Sequence, residues 1–444
     1  MRHLRHAAVV AVLLGMCATA LPTAAGADER RPRTEQVSTT ANGTPANAYV
    51  EGGSISADGR YVTFTSRASN LVPGATDNHE KVFVKDLRTG GIELISTTVD
   101  GRPATDDSSS NSISGDGRYV VFSSYATDLT DERRTGARKS DVFVRDRRTG
   151  RTEILVKSAD TSDFAYSLTG EISDDGRYVA FVSNRKDLVQ DGDSRTDVYL
   201  RDRLQKTTRR VSVKSDGSRT PWGTFLSPTI SADGSKVGFR TNADLTDTPT
   251  ARPKAGIGRD PYRDFYVHDM RTGRTQPAAH TLDGTPVRAS WPSFSPDGRY
   301  LLFSADEPNM VEGDTHNVTD AYAEDLATGE TRRVSTGQDG ELADAGSYSG
   351  ALMSADHRKV FFSSRATNLV PDDTNHSDDV FVRDLGTDTV ERVSLDDDGA
   401  QRPDITLLRG IDRSGDSVLF SGQSALPTPG NPYPVTGLFV RHLS

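Results

Sequence analysis

One segment recurs along the chain and limits its fold more than any other feature. It is clearest at Ser54-Ile55-Ser56-Ala57-Asp58-Gly59-Arg60-Tyr61-Val62-Thr63-Phe64, with copies centred on Asp116-Gly117, Asp175-Gly176, Asp233-Gly234 and Asp297-Gly298. Two degenerate copies sit at Asp356-His357 and Ser414-Gly415. The spacings are 58, 59, 58, 64, 59 and 58 residues, which makes seven units. A fixed period of this length marks a repeat architecture. Within each unit, the Asp-Gly pair between two apolar runs predicts a hairpin turn, because Gly accepts the positive φ such turns need. The run after it alternates with period two, as a strand does. Val62 and Phe64 share one face of it, as do Val120 and Phe122 or Leu301 and Phe303. Seven phenylalanines at one structural position are expected to pack between neighbouring sheets.

A third strand follows after a loop, as at Val82-Phe83-Val84, Val198-Tyr199-Leu200 or Val380-Phe381-Val382. Most copies continue with Asp-x-x-Thr-Gly, a short turn with Gly in the left-handed position, and then a fourth strand such as Thr331-Arg332-Arg333-Val334-Ser335. Four antiparallel strands per unit, seven times over, predict an all-β, seven-bladed β-propeller. The last unit reaches Ser444 after three strands, and the first segment, Arg33 to Ser38, has the fourth-strand pattern without partners of its own. This N-terminal strand is expected to close the last blade and remove an open edge.

On the motif Ser-x-Asp-Gly-Arg-Tyr-apolar-x-Phe, as in Phe294-Ser295-Pro296-Asp297-Gly298-Arg299-Tyr300-Leu301-Leu302-Phe303, the chain resembles the TolB-like propellers built from PD40 (WD40-like) repeats. The resemblance covers about residues 33 to 444. It implies the propeller fold. It also points to roles found in that family: periplasmic scaffolds that bind a peptidoglycan-associated partner, propellers attached to serine peptidases, and some polysaccharide lyases. TolB itself has six blades and an N-terminal α/β domain, whereas seven blades and no second domain are expected here.

The N-terminus predicts export. Arg2 and Arg5 precede a short apolar run from Ala7 to Leu14, and Ala25-Gly26-Ala27 offers a small-x-small cleavage site. Residues 1–27 are therefore expected to be a Sec-type signal peptide and 28–32 a short linker, with the protein secreted or periplasmic. No transmembrane segment is expected, since no apolar run approaches the roughly 20 residues a helical span needs. The single cysteine, Cys17, lies inside the signal, and the bulky Met16 before it argues against a lipoprotein. With 53 Lys and Arg against 63 Asp and Glu, the net charge is −10 and no basic block stands out, which argues against nucleic-acid binding. A monomer is expected.

Strand alternation puts the two short turns of each unit on one face of the disc and the long, dissimilar loops on the other, so binding is expected on the loop face, around the mouth of the central channel. Three loops there carry spaced acids: Asp191, Asp193 and Asp197; Asp314, His316 and Asp320; Asp373, Asn375 and Asp379. Oxygen ligands at positions one, three and seven suit Ca²⁺, and a solvated acidic turn is the competing reading. No cofactor is expected beyond that Ca²⁺. His79, His316 and His376 recur in one loop type, but no zinc spacing occurs. No catalytic residue is assigned; the nearest approach to a nucleophile elbow, Gly346-Ser347-Tyr348-Ser349-Gly350, has Tyr in the nucleophile position. Tyr49, Tyr166, Trp222, Arg288, Trp291 and Tyr348 precede or begin first strands and are the candidate binding residues, with packing between blades as the alternative role for each. The expected function is a non-enzymatic binding module or scaffold for an extracellular or envelope protein or a cell-wall glycan. The alternative is a propeller lyase or hydrolase that acts on polysaccharide at the channel mouth.

Overall fold

In the computed structural model, residues 31–75, 77–131, 139–157, 166–190, 192–220, 225–245, 264–314, 318–423 and 436–443 are described. Their 28 strands form seven four-stranded sheets. The first blade is β2 (Val50–Ile55), β3 (Tyr61–Ser66), β4 (Lys81–Asp86) and β5 (Ile92–Leu94), paired in chain order. The pattern repeats to the seventh blade, where β26 (Leu407–Ile411), β27 (Ser417–Gln423) and β28 (Thr436–His442) are joined by β1 (Arg33–Gln36). In that closure Arg33 faces His442 and Gln36 faces Phe439 across an antiparallel pair. The N-terminal strand thus completes the last blade as expected.

Each residue of the repeated motif has a structural task. In the second blade, Ser114 Oγ donates to Asp116 Oδ1 at 2.7 Å, and the same carboxylate takes the Arg118 amide at 2.9 Å. The Tyr119 amide donates back to Ser114 Oγ, so the turn is braced from both sides. Gly117 sits at φ 68° with the Tyr61 ring of the preceding blade against it; a Cβ there would lie 2.1 Å from Tyr61 Cδ2. The glycine therefore serves both the backbone and the junction between blades. Arg118 reaches across to the turn after the third strand and pairs with Asp146 at 2.7 Å, as Arg60 does with Asp86. Where the sixth blade has His357 in place of Gly, the residue still takes φ 61°, and its ring meets Tyr300 edge-on at 5.0 Å.

The seven motif phenylalanines are buried, and each faces an aromatic ring of the third strand directly across the ladder. Phe64 lies over Phe83 at 5.6 Å and Phe303 over Tyr322 at 5.7 Å. Such offset-stacked pairs add to area burial. Phe64 and Phe83 pack with Leu419, Leu438 and Val440 of the seventh blade, so the ring is held by hydrophobic layers between sheets.

The first strands line the central channel, a cavity of about 380 Å³ bounded by residues such as Ser54, Ser112, Glu171, Ile230, Met353 and Arg409. Six of the seven first strands carry a register shift, as between Glu51 and Ser54, that bends the strand beside the channel. At the end bearing the Asp-Gly turns, Arg413 of the seventh blade pairs with Asp174 of the third at 3.2 Å. The Asp174 amide also donates to Ala232 O, and the Arg413 amide to Ala57 O. Among the described residues, no helix is long and apolar enough to cross a membrane.

Candidate functional site: a His/Asp/Asp cluster on the loop face

The acidic loops expected to hold calcium hold guanidinium groups instead. Arg392, which ends the fourth strand of its blade, lies 3.2 Å from Asp373 and 3.5 Å from Asp379. Asn375 turns its amide nitrogen, not its oxygen, toward Asp379 at 3.1 Å. In the fifth blade, Arg333 holds the same strand position and pairs with both Asp314 and Asp320. In the third blade, Arg219 bridges Asp193 and Asp197 at 3.0 and 2.7 Å, and Arg210 adds a contact to Asp197 at 3.1 Å. Arg219 keeps the Asp193 carboxyl well below its usual range. A cation is needed at each of these places, and an arginine of the chain supplies it, so calcium is not carried forward for these loops. Asp191 and His316 fall outside the described residues.

A different cluster stands out on the same face. His79 lies in the loop between the second and third strands of the first blade. Asp106 and Asp107 immediately precede β6 (Ser108–Ile113), the innermost strand of the second. One ligand atom from each falls within 4.8 Å of the other two. His79 Nδ1 is 3.2 Å from Asp107 Oδ1 and 3.8 Å from Asp106 Oδ1, and all three side chains are half-buried. The Glu80 amide donates to Asp107 Oδ1 at 2.9 Å, and the Ser108 amide to Glu80 O, which ties the two blades together at this point. Burial works to raise the Asp107 carboxyl, but the Glu80 amide, the His79 ring and the Arg67 charge together hold it below its ordinary value. Beneath the cluster, Lys81 is buried and pairs with Asp77 at 2.8 Å, so the first blade uses a lysine where its counterparts use a carboxylate and an arginine.

The donor set is one imidazole nitrogen and two carboxylates. Calcium and magnesium sites are built from oxygen, whereas an imidazole suits zinc, iron, copper or nickel, and carboxylates also suit manganese. Three protein donors leave coordination positions for water or substrate. The residues therefore fit a divalent transition metal.

Of the expected binding residues, Tyr49, Trp291 and Tyr348 are exposed at 54%, 67% and 51%, and Arg288 is exposed too. Trp291 adopts φ 51° and sits against Gly350 of the next blade, two residues from Tyr348. Tyr166 is half-buried and bonds Thr196 through its hydroxyl at 2.9 Å, while Trp222 lies outside the described residues. Arg409 of β26 lines the channel and donates to Ser421 Oγ at 3.1 Å. Asp106 and Asp107 were not among the residues singled out from sequence. The available signal was positional: Tyr49, Asp107, Tyr166 and Gly346 each offer a carbonyl to the last serine of the second strand, so Asp107 occupies the place where two candidate tyrosines stand.

No family model matches the chain, and no curated protein matches it. Among solved structures, it is similar to an oligogalacturonate lyase from Vibrio parahaemolyticus at 12% identity, covering 93% of this chain and 97% of that one with a TM-score of 0.50. An oligogalacturonate lyase in complex with manganese matches over 93% and 96% at 12% identity and a TM-score of 0.49. TolB from Acinetobacter baumannii matches at 16% identity with a TM-score of 0.37, over 68% of this chain; the chain spans only 65% of that TolB. At these identities the likeness shows the propeller fold. The expectation of a purely non-enzymatic scaffold is nevertheless corrected: the His79–Asp106–Asp107 cluster, a donor set able to hold a metal ion, favours the enzymatic alternative.

Proposed function

We propose that the protein is a propeller enzyme of polysaccharide-lyase type, acting on an acidic glycan at its loop face with a divalent transition metal held by His79, Asp106 and Asp107. The observation that carries this reading is the mixed nitrogen–oxygen donor cluster at the end of an innermost strand. The lyase scaffold, matched over nearly the whole chain, supports it. A cation bound there would neutralise a uronate carboxylate and so acidify the C–H bond next to it. The chain's own groups do the rest of the positioning. Asp107 is kept ionised and oriented by the Glu80 amide. Arg409, half-buried at the channel wall, offers a fixed positive charge to a substrate carboxylate. Tyr49, Trp291 and Tyr348 offer exposed rings against which sugar faces can stack. Lyase chemistry moves that acidified proton to a base and expels the glycosidic oxygen, leaving a carbon–carbon double bond in the product. Export by residues 1–27, which lie outside the described residues, would bring the enzyme to an extracellular or envelope glycan.

The test is polygalacturonate turnover followed by the ultraviolet absorbance of the unsaturated product, with and without Mn²⁺ after chelation. Metal-dependent product that disappears in Asp107→Asn supports the reading. No product with any of Mn²⁺, Zn²⁺ or Fe²⁺, on galacturonate, alginate and glycosaminoglycan substrates alike, overturns it.

A further inference from the structure

The last residue but one of each third strand stands beside the loop arriving from the preceding blade, and in three blades that residue is a cation capped by the loop. Lys85 donates to Thr39 Oγ1 at 3.0 Å and to Thr40 O at 3.0 Å. Arg383 donates to Val334 O at 2.9 Å and to Gly337 O at 3.0 Å, and Arg441 to Asp396 O at 3.1 Å. The second blade breaks the pattern. Arg145, on β8 (Asp141–Asp146), donates to Thr152 Oγ1 of its own blade at 3.1 Å, and its Nε is buried without a partner. The hydroxyl of Thr97, counterpart of the Thr39 hydroxyl that takes Lys85, is likewise buried and without a partner. In the third blade, Arg201, on β12 (Asp197–Asp202), donates to Lys206 O and Thr208 Oγ1. Burial lowers both the Arg145 and Arg201 guanidinium groups from their usual value.

These two arginines line one groove at the outer rim, a cavity of about 690 Å³ that runs along β9 (Arg151–Ile154), the edge strand of the second blade. Its wall carries Arg145, Arg151, Lys157, Arg201, Arg203 and Lys206 against Asp131 and Glu153. Of these, Arg203 pairs with Glu153 at 3.0 Å. So strong a positive excess is unusual on a chain of net charge −10. The lining also offers aliphatic surface, including Val99 at 58% exposure, and among the described residues that line it there is no aromatic ring. A single-stranded nucleic acid needs rings to stack on. A chain of uronic acids presents spaced carboxylates and C–H faces, and the volume lies within the usual range of roughly 300–1,000 Å³ for small-ligand sites.

We propose that this groove, whose lining includes none of His79, Asp106 and Asp107, is an accessory binding site for a polyuronate chain, with Arg145 and Arg201 each receiving a sugar carboxylate. The choice of uronate follows the function proposed above; the anion requirement does not. The experiment measures binding of the full chain to polygalacturonate by affinity electrophoresis, with amylose as the neutral control. Three proteins are compared in the presence of EDTA, so that the cluster holds no metal: the wild type, Arg201→Gln and the surface double variant Arg151→Glu/Lys206→Glu. Polygalacturonate should bind the wild type, bind the double variant about tenfold more weakly, and bind less tightly as NaCl rises. Arg201→Gln should weaken binding in the same direction. Amylose should not bind. Unchanged affinity in both groove variants, or equal retention by amylose, would overturn the proposal. Failure of the lyase reading is distinct from these outcomes, since groove-mapped binding without turnover leaves the accessory site in place.

Discussion

Replacing Arg392 with alanine tests whether the acidic loops are ion pairs built into the fold. The Arg392 side chain is 8% exposed, and its partners Asp373 and Asp379 are 2% and 0% exposed. Removing the guanidinium strands two carboxylates in the interior, and breaking a buried pair from one side costs about 3–5 kcal/mol. The hydrogen bonds from Ser394 and Gln401 to Asp379 survive the change and place the expectation at the lower end. For a chain of this size, about 3 kcal/mol corresponds to a fall in melting temperature on the order of 3–4 °C. Burial already raises the Asp379 carboxyl, and losing Arg392 raises it further. A carboxyl whose folded pKa lies above its unfolded value favours folding in its neutral form. The deficit of the variant should therefore shrink as pH falls toward the unfolded value near 4 and grow as pH rises through the folded one. The emptied loop offers Asp373 and Asp379 to a hard cation, so millimolar Ca²⁺ should raise the melting temperature of the variant and leave the wild type unmoved. Differential scanning calorimetry between pH 4 and 8 reads all three effects. A variant that melts within about 1 °C of wild type, or a wild type that Ca²⁺ stabilises, would refute the reasoning.

Other parts of the ring give further expectations. Gly117→Ala should destabilise by more than the roughly 1 kcal/mol cost of positive φ, because its Cβ meets Tyr61, whereas Gly101→Ala, at φ 81° with nothing within 4 Å, should cost that backbone term alone; urea titrations of the two separate the contributions. Deleting residues 33–38 should unseat the closing strand and expose the β28 edge, read as aggregation or a lost cooperative transition; an unaltered melt would contradict the closure. Asp86, Asp146 and Asp269 are each held down to about 2, the first two chiefly by hydrogen bonds from Arg60 and Arg118, the third by Lys236 and turn amides that outweigh burial. Their folded values lie below the unfolded one, so the stability they contribute is present above pH 4 and lost as pH falls toward 2. Acid unfolding should therefore centre in that window, and Asp86→Asn should make it shallower.

The ring was legible because its signals are local and repeated. The Ser-x-Asp-Gly brace, the alternating run after it and the terminal strand each follow from chemistry within about ten residues, and seven copies remove ambiguity. The cluster was not legible, because it joins residues 79 and 107, which are neighbours only once two blades are docked. The spacing that suggested calcium misled for a related reason. Asp373, Asn375 and Asp379 lie within one loop, but Arg392, which occupies the space between the carboxylates, belongs to a strand that no loop motif includes. The register shifts of the first strands were also invisible in the pattern, since a bulge adds a residue without changing the flanking alternation.

The position shared by Tyr49, Asp107, Tyr166 and Gly346 explains how a symmetric scaffold can carry one asymmetric site. At each of these places the backbone carbonyl takes a serine hydroxyl, so the main chain is fixed whatever side chain is present. Side chains there can differ without disturbing the ring, and a carboxylate in the second blade is held as firmly as a tyrosine in the first or third. Asp107 is further restrained by the Glu80 amide, and Glu80 by the Ser108 amide, so the cluster is carried on the junction of two blades and not on a free loop. At the opposite end of the channel, Arg413 and Asp174 pair across from the seventh blade to the third. Burial raises Asp174, and Arg413 offsets part of that rise, so breaking the pair would leave a carboxyl that prefers its neutral form. The loop face instead carries exposed rings and the His/Asp/Asp donors, so the proposed chemistry sits at the end where the repeat departs from its own symmetry.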